Sequence, residues 1–373
     1  ESCALGKELN NNKPCGICIT PHQVDTLSEA ILELIQNPNK TELMGENGTR
    51  RVLNNYTINI IAAEYKKLWE TESNHYVLIK SNYEEANVEK EIVQLPQNNV
   101  QRYQSTEIIK LLLVSPLPPP IGGIASWTPI IIKYFEHFEG EIRVTLLNSA
   151  LKGKTITSNS LLKRFFSGIY NSLWINIELT KLIGTCEPCL IHLVSSASLA
   201  LFKDYLLIKV AEKNNIPIIM HWRFGRIPAL AAKRNWEWKL LKIIIKRSTL
   251  SIVIDSRSHD ALLRAGLTSV TNIPNPLGPD IEQKSRTLIE RSSQRKHGRL
   301  IFVGHIVKSK GVFELVKACS ELSAVKELIV IGPCEENVKK GLRKIAGKRE
   351  NGLWLNVLGQ LDKNQVLEQL SIS

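Results

Sequence analysis

Ile108-Ile-Lys-Leu-Leu-Leu-Val114 is followed at once by Ser115-Pro-Leu-Pro-Pro-Pro-Ile-Gly-Gly123. The first segment has the length and apolar composition of a buried strand, and the second has the proline and glycine content of a loop. The next stretch, Ala125–Phe138, predicts a helix. A strand, a glycine loop and a helix in this order place backbone N–H groups at a helix N-terminus, where an anion is stabilised.

The alternation of apolar strands and amphipathic helices continues towards the C-terminus. Leu190–Val194, Leu199–Glu212 and Ile216–Met220 predict a strand, a helix and a strand, and Leu250–Ile254 predicts a further strand. This order is typical of an α/β protein with a parallel sheet. Such sheets bind ligands at the carboxyl ends of their strands, which makes those ends the first place to look for a site.

The pattern begins again after a basic polar stretch at 282–299. Strands are predicted at 299–304, 327–332 and 353–358, and helices at 312–321, 335–346 and 364–370. Two further helices are predicted ahead of the first strand, at 26–36 and 58–69, and the polar stretch 71–106 is predicted to be a linker or irregular insert. Two doubly wound domains that face each other would leave a cleft between the carboxyl ends of their strands.

Composition and length limit the class of protein. The chain has 373 residues, of which 43% are hydrophobic and 23% charged, so it is globular rather than collagen-like or disordered. No apolar run reaches the ~18 residues of a membrane span. The chain starts without a Met or a basic-then-apolar leader, so we expect no signal peptide and a start inside something longer.

The charge balance favours anionic partners. The 48 basic and 36 acidic side chains leave a net charge of +12, which suits phosphorylated substrates or an anionic membrane surface. Nucleic acid is not expected, because no arginine-rich arm or zinc-finger spacing is present. The Trp-rich basic helix predicted around Trp236–Lys246 is a candidate for binding the membrane surface. The alternative is that it is a half-buried helix of the core.

Two cysteine pairs have C-x-x-C spacing, Cys15/Cys18 and Cys186/Cys189. A four-thiolate zinc site or a redox pair would use this spacing. The pairs lie far apart in sequence, and neither begins a helix directly after a strand. Buried or incidental thiols in a reducing cytosol are therefore expected.

Several stretches resemble the family-4 retaining glycosyltransferases of the GT-B fold, in which two Rossmann-like domains face each other. Lys110–Pro116 and the loop after it resemble the family's first strand and glycine loop, with Gly122 and Gly123 at the paired glycine positions. Glycines there allow close approach of the backbone to a ligand. Ile273-Pro-Asn-Pro276 resembles the Asn-Pro turn that leads out of the family's first domain.

Ile218-Ile-Met-His-Trp-Arg-Phe-Gly225 resembles the family's strand-ending histidine segment. The resemblance implies that His221 lies in the cleft near the transferred sugar and acts as the catalytic residue. A neutral imidazole can bind a sugar hydroxyl. Arg223 can hold a phosphate in a bidentate manner, so we assign it with Gly122 and Gly123 to the acceptor and sugar side.

Arg299-Leu-Ile-Phe-Val-Gly-His-Ile-Val-Lys-Ser-Lys-Gly-Val312 resembles the family's donor-binding stretch. The family usually has an arginine after the first glycine and a lysine before the second, and both bind the donor diphosphate. Lys310 matches the lysine, whereas His305 follows Gly304 in place of the arginine. That contact is expected to be weaker, and Lys308 is a candidate to compensate.

The resemblance covers most of the chain, but out of order. Residues 1–70 resemble the family's C-terminal tail, 107–280 its N-terminal domain, and 281–373 the first half of its C-terminal domain. Glu1 matches a glutamate that binds the donor ribose. Either the chain is a piece of two tandem units, or residues 1–70 pack against 299–373 and complete their sheet. The expected fold is therefore α/β of the GT-B type, with a second domain that is incomplete or completed by the N-terminal segment.

The resemblance implies a retaining transferase that moves a hexose from a nucleotide diphosphate sugar to a glycan or lipid-linked acceptor in polysaccharide or lipopolysaccharide biosynthesis. It implies no cofactor, and no metal is expected because no Asp-x-Asp motif is present. The expected location is the cytoplasm, with peripheral association at the inner face of the membrane. The alternative is a non-catalytic remnant that binds nucleotide without turnover. A Rossmann oxidoreductase is disfavoured because no strand leads into Gly-x-Gly-x-x-Gly.

Overall fold

The computed structural model describes residues 14–88, 108–119, 123–138, 140–150, 161–289, 295–347 and 353–373. The chain divides into two compact units. The central unit is Ile58–Pro276, and the split unit joins the front of the chain, up to Thr57, to Leu277–Ser373. Each unit contains a parallel sheet with helices. The predicted α/β class, with two Rossmann-like units, is confirmed.

The helices follow the predicted alternation, with several additions. In chain order they are α1 (Val24–Gln36), α2 (Pro38–Asn55), α3 (Ile58–Val88), α4 (Gly123–Phe135), α5 (Leu161–Cys186), α6 (Ala200–Lys213), α7 (Ile227–Lys233), α8 (Trp236–Arg247), α9 (Ser256–Arg264), α10 (Pro279–Ile289), α11 (Val312–Glu321), α12 (Glu336–Ala346) and α13 (Lys363–Ser371). Short 3-10 turns at Glu136–Phe138 and Lys308–Lys310 complete the helical elements of the described residues.

Among the residues described for the central unit, six parallel strands form a sheet in the order β2-β1-β3-β4-β5-β6. They are β1 (Ile109–Ser115), β2 (Ile142–Asn148), β3 (Leu190–Ser195), β4 (Ile218–Trp222), β5 (Leu250–Val253) and β6 (Val270–Asn272). The chain winds outward in both directions from β1 and β3, which are neighbours in the sheet. This switch point is where doubly wound sheets bind their ligands.

Alternate residues of β1 enter two separate hydrophobic cores, because successive side chains of a strand point to opposite faces. Leu112 and Val114 pack in the core that contains α5, α6 and α8. Leu111 and Leu113 pack in the core that contains α3 and α4. Helices therefore cover both faces of the sheet, which explains why its strands are nearly continuous apolar runs.

Helix α3 differs from the sequence prediction. Its first part buries Ile61, Tyr65 and Trp69 at helical spacing against the sheet. The helix then continues through the polar residues 71–88, so the expectation of an irregular insert is wrong for that stretch. The stretch contains no glycine or proline to end a helix, and its many charges and amides do not prevent one. The rest of the predicted linker, 89–106, lies outside the described residues.

In the described part of the split unit, the sheet has three parallel strands in the order β7-β8-β9. They are β7 (Arg299–Val303), β8 (Glu327–Ile331) and β9 (Leu355–Gly359). Within the described residues β7 pairs only with β8. Its side chains are consequently half-buried or exposed, with Val303 at 49% exposure, whereas Leu328–Ile331 of β8 are buried.

The front of the chain packs on this second sheet unit through helices. Ile31 of α1 lies in the same core as Val316 of α11 and Leu342 of α12. Two polar contacts add to this packing: His22 Nδ1 lies 3.1 Å from Glu314 Oε1, and His297 Nε2 lies 3.1 Å from the carbonyl oxygen of Ile35. The described part of the front segment contributes no strand, so it extends the helical layer rather than the sheet.

Ile31→Ala is expected to destabilise the split unit by about 3 kcal/mol, because it removes buried methyl groups and leaves a cavity. Hydrogen exchange read by mass spectrometry should show faster exchange in peptides from β7, β8 and β9. Leu43→Ala, at an exposed position of α2, is the control. Unchanged exchange in those peptides would show that α1 does not hold the split unit together.

Candidate functional site

The loop that leaves β1 is held in place at both ends. The buried hydroxyls of Ser115 and Thr128 lie 2.7 Å apart, and Thr128 Oγ1 lies 3.0 Å from the carbonyl oxygen of Pro116. The backbone N–H of Leu117 donates to Oδ1 of Asn148, at the end of β2, over 3.1 Å. These bonds tie the loop and the start of α4 to the carboxyl edge of the sheet, beside the switch point.

Gly123 is the first residue of α4, and a Cβ atom built on it would have no neighbour within 4 Å among the described residues. Packing inside the protein therefore does not require a glycine here. The open space beside the helix N-terminus can accept an anionic group. Gly122, the other member of the predicted pair, lies outside the described residues.

Arg223 directly follows β4 and reaches the same place. Its backbone N–H donates to the carbonyl oxygen of Ser195 over 2.9 Å. Its guanidinium carbon lies 4.7 Å from the ring centre of Trp127, and its NH2 donates to the carbonyl oxygen of Gly123 over 3.3 Å. The structure thus brings together two of the residues that the sequence assigned to the acceptor side, from β4 and α4.

The guanidinium of Arg223 lacks a carboxylate partner among the described residues. Its Nε and NH1 atoms are buried without a hydrogen bond, and burial lowers its pKa to about 10. A buried cation without a counter-ion is unfavourable, and a planar guanidinium matches a phosphate or a carboxylate. An anion bound here would remove that penalty.

The loop between β3 and α6 is backbone-strained and was not singled out in the sequence. Ala197 and Ser198 both have left-handed backbone angles, with φ of 60° and 61°, which is rare for consecutive residues other than glycine. The Ser195 hydroxyl accepts from the N–H of Ala197 over 3.0 Å and donates to the buried carboxyl of Asp204. Such strain at a switch point is typical of a functional loop.

Glu237 of α8 holds the other half of this loop. Its Oε1 accepts from the backbone N–H of Ser198 over 2.8 Å. The same carboxylate forms a bidentate pair with Arg226, with N–O distances of 2.7 and 3.1 Å. The run Ser195-Ser-Ala-Ser198 after an apolar strand was the available sequence signal, but the anchoring glutamate lies 39 residues further along the chain.

His221 lies inside the central unit and is fully buried. Its Nδ1 is 3.2 Å from Nε2 of His192, whose Nδ1 accepts from the indole N–H of Trp69 over 3.0 Å. Burial, with the nearby charge of Arg223, lowers the pKa of His192 to about 3 and that of His221 well below its ordinary value. Both imidazoles are therefore neutral at neutral pH.

The sequence predicts a contact between His221 and a sugar, whereas the structure buries the His221 side chain. Its ring lies edge-on to Trp127, with 5.1 Å between the ring centres, and its side chain has no exposed surface. Its Nε2 has no hydrogen-bond partner among the described residues. The Trp127 ring thus contacts both His221 and the guanidinium of Arg223. The catalytic role of His221 stays a prediction.

In the split unit, a basic loop connects β7 to α11. The N–H of Gly304 donates to the carbonyl oxygen of Ile331 over 2.9 Å, which continues the hydrogen bonding between β7 and β8. The N–H of Ile306 donates to the carbonyl oxygen of Pro333 over 3.1 Å. The chain then makes the 3-10 turn at Lys308–Lys310 and enters α11 through Gly311, whose φ is 74°.

Three of the predicted donor-side residues lie in this loop. His305 and Lys310 are exposed, and Lys310 forms no ion pair with the residues that the structure describes. Gly304 touches Gly332 at the end of β8. A Cβ atom added to Gly332 would lie 1.8 Å from the carbonyl oxygen of Gly304. Gly332 was not predicted as a site residue, although a glycine after an apolar strand was the same signal that marked Gly304. Glu1 lies outside the described residues.

The described cysteines form no disulfide with one another. Cys18 is exposed, Cys186 ends α5, and Cys189 Sγ lies 3.6 Å from Ser73 Oγ. Within the described ranges, no group of three or more His, Cys, Asp or Glu side chains is placed to hold a metal ion. None of the helices described here combines the length and apolar character needed to cross a membrane.

Comparison with known proteins gives fold-level similarities only. No family model matches the chain, and no curated protein matches it. Among solved structures, a UDP-N-acetylglucosamine 2-epimerase from Neisseria meningitidis bound to UDP-GlcNAc is 12% identical, with 71% of this chain and 75% of that chain covered and a TM-score of 0.43. Anabaena HepE in complex with UDP is 13% identical, with 71% and 72% covered and a TM-score of 0.44. A Glycyrrhiza uralensis protein in complex with glycyrrhetinic acid 3-O-monoglucuronide is 9% identical, with 71% and 72% covered and a TM-score of 0.43. These values are too low for an activity to be transferred to this chain.

Proposed function

We propose that this chain is a retaining glycosyltransferase of the GT-B type, which moves a hexose from a nucleotide diphosphate sugar to a glycan or lipid-linked acceptor. The observation that carries the proposal is the exposed basic loop at the carboxyl end of β7, with Gly304, His305 and Lys310 ahead of α11. A phosphate-bearing ligand fits a cationic loop at the carboxyl edge of a parallel sheet.

The donor diphosphate is assigned to this loop. The ammonium group of Lys310 supplies a point charge for the phosphate oxygens, and the N-terminus of α11 adds the positive end of a helix dipole. His305 and Lys308, both exposed, supply further donors. The contact between Gly304 and Gly332 keeps side chains away from the neighbouring strand ends, which supports close approach of the donor to the backbone.

The acceptor is assigned to the carboxyl ends of β1, β3 and β4 in the central unit. Arg223 lies there next to Gly123 and the start of α4, and its guanidinium has no carboxylate partner among the residues that the structure describes. A phosphate or diphosphate on a lipid-linked acceptor would pair with this guanidinium. His221 acts in this proposal as a positioning residue, because it packs against the Trp127 ring on which Arg223 lies.

The reaction breaks the bond between the anomeric carbon of the hexose and the leaving diphosphate oxygen. It forms a bond from the same carbon to an acceptor hydroxyl oxygen, with retention of configuration, and the hydroxyl proton passes to the departing diphosphate oxygen on the same face. Negative charge develops on the diphosphate, and Lys310 stabilises it electrostatically. Glu1 is proposed to accept hydrogen bonds from the donor ribose hydroxyls.

One observation favours the alternative of a nucleotide-binding remnant without turnover. The sheet of the split unit has three strands in the described residues, and β7 is paired on one side only. Titration of the full chain with a panel of nucleotide sugars, followed by assay of released nucleoside diphosphate with glycan and prenyl phosphate acceptors, decides between the two. Acceptor-dependent release supports the transferase. Binding without release supports the remnant, and the absence of any nucleotide binding contradicts both.

Arg223→Met is expected to weaken binding of a short-chain prenyl phosphate about tenfold or more, because a charge-assisted contact contributes ~1.5–3 kcal/mol. Thermal stability should stay constant or rise, because the variant removes a buried charge that has no counter-ion among the described residues. Arg257→Met, at a half-buried surface arginine of the same unit, is the matched control in calorimetric titration. A loss of stability with unchanged prenyl phosphate affinity would assign Arg223 a purely structural role.

A further inference from the structure

Two neighbouring helices of the central unit, α6 and α8, lie side by side and parallel. Near their N-termini the rings of Phe202 and Trp236 stack, with centres 5.6 Å apart and planes inclined by 17°. At their C-termini Arg247 forms a bidentate ion pair with Glu212, with N–O distances of 2.8 and 2.6 Å. The outward residues of both helices therefore form one surface, the α6–α8 face.

The α6–α8 face exposes large apolar side chains. Phe202 is 56% and Trp236 48% exposed, although they stack on each other. The exposed apolar residues of the face are Leu199, Phe202, Leu206, Trp236 and Ile243. They recur at helical spacing on each helix, so they form a connected patch rather than scattered positions.

The charge of the same face is strongly positive. Its exposed charged residues on α6 and α8 are Lys209, Glu212, Lys213, Lys239, Lys246 and Arg247. The single carboxylate among them, Glu212, is already paired with Arg247. The other two acidic residues of these helices, Asp204 and Glu237, are buried. An occupant of the face must therefore be apolar at its centre and anionic around it.

We propose that the α6–α8 face binds the surface of a bilayer that contains anionic lipids. Trp and Phe rings suit the boundary between head groups and acyl chains, and lysine stems can extend over it while their ammonium groups contact lipid phosphates. The inward side of α8 is core, with Leu241, Ile244 and Ile245 buried, so this helix is half-buried and still presents a basic, apolar outer side. The inference does not depend on the transferase activity.

Co-sedimentation of the full chain with vesicles tests the inference. The wild type should bind vesicles of phosphatidylcholine with about one third phosphatidylglycerol, and this binding should weaken at high salt. Binding to phosphatidylcholine alone should be at least about tenfold weaker. Equal binding to both vesicle types would overturn the proposal. The absence of binding to the anionic vesicles would also overturn it, and this is the result expected if the face binds an acidic protein instead.

Two double variants separate the contributions of the face. Lys239→Glu with Lys246→Glu should lower the partition coefficient on anionic vesicles about tenfold or more, since each basic residue near the surface contributes measurably. Phe202→Ser with Trp236→Ser should lower it by a similar factor. The matched controls are Lys317→Glu and Leu353→Ala, at exposed positions of the split unit. Face variants that fold, as judged by circular dichroism, and bind like the wild type would also overturn it.

Discussion

Lys310→Ala is expected to weaken the binding of nucleoside diphosphates ten- to a hundredfold and to lower kcat/KM for transfer about a hundred- to a thousandfold. A charge-assisted contact to phosphate contributes ~1.5–3 kcal/mol to binding. Its contribution grows in the transition state, because negative charge develops on the leaving diphosphate. Stability should not change, because Lys310 is exposed and makes no ion pair with any residue that the structure describes. Isothermal titration and initial rates measure the two effects.

Two neighbouring lysines serve as comparisons. Lys317→Ala removes an exposed lysine from the outer part of α11 and should leave both quantities unchanged. Lys308→Ala should have an intermediate effect, because the charge of Lys308 also acts on Glu314. The pKa of that carboxyl is lowered first by its hydrogen bond with His22, and the charge of Lys308 adds to the lowering. If Lys310→Ala binds nucleoside diphosphates as tightly as the wild type, the donor site is not in the β7–α11 loop.

The two buried histidines of the central unit are expected to lower its stability as the pH falls below 6.5, and His192 alone accounts for about 2–3 kcal/mol between pH 6.5 and about 4.5. His192 and His221 are fully buried, and burial lowers the pKa of both below the ordinary value of 6.5, to about 3 for His192. Below pH 6.5 the unfolded chain therefore binds protons that the folded chain does not. Each such histidine removes ~1.4 kcal/mol per pH unit, and the loss ends only near the folded pKa.

Nearby groups set the rest of this pH dependence. Arg223 adds to the lowering of the pKa of both histidines. Asp204 acts in the opposite direction, because burial raises its pKa and the folded protein gains stability when it takes up that proton. Comparison of variants over the same pH range isolates the contribution of the histidines from that of Asp204.

Urea unfolding between pH 7 and pH 4.5 measures the effect, with hydrogen exchange to assign it to the central unit. His192→Gln should reduce the slope by ~1.4 kcal/mol per pH unit, since one titrating group is gone. His137→Gln, at an exposed position, is the control, because it also removes one titrating histidine from the unfolded chain. An unchanged slope in His192→Gln would mean that His192 takes up its proton without unfolding.

The amino-acid sequence was sufficient for the α/β class and for the loops with candidate binding residues. Leu111–Val114 could be recognised as a buried strand because its apolar run is local. Gly304 and Lys310 could be placed in one loop because they lie between a strand and a helix that are both evident in the pattern. Strands, helices and the turns between them follow largely from nearby residues.

Helix α3 shows where such local reasoning failed. Its polar second half looked like a linker, because composition says little about whether a polar segment continues a helix that has already begun. The environment of His221 was also out of reach. Its position at a strand end was evident, but Tyr65 and Trp127, which pack against its ring, come from two helices far away in the sequence.

Local sequence thus determined which segments are strands and helices, and that glycine and basic residues follow the strands. Tertiary structure alone decided that β1 and β3 are neighbours, and that Glu237 holds the strained backbone of Ser198. It also decided that α1, from the front of the chain, packs against α11 near its end. The physical reason is range: side-chain periodicity acts over a few residues, whereas burial depends on surfaces that meet only after the chain has folded.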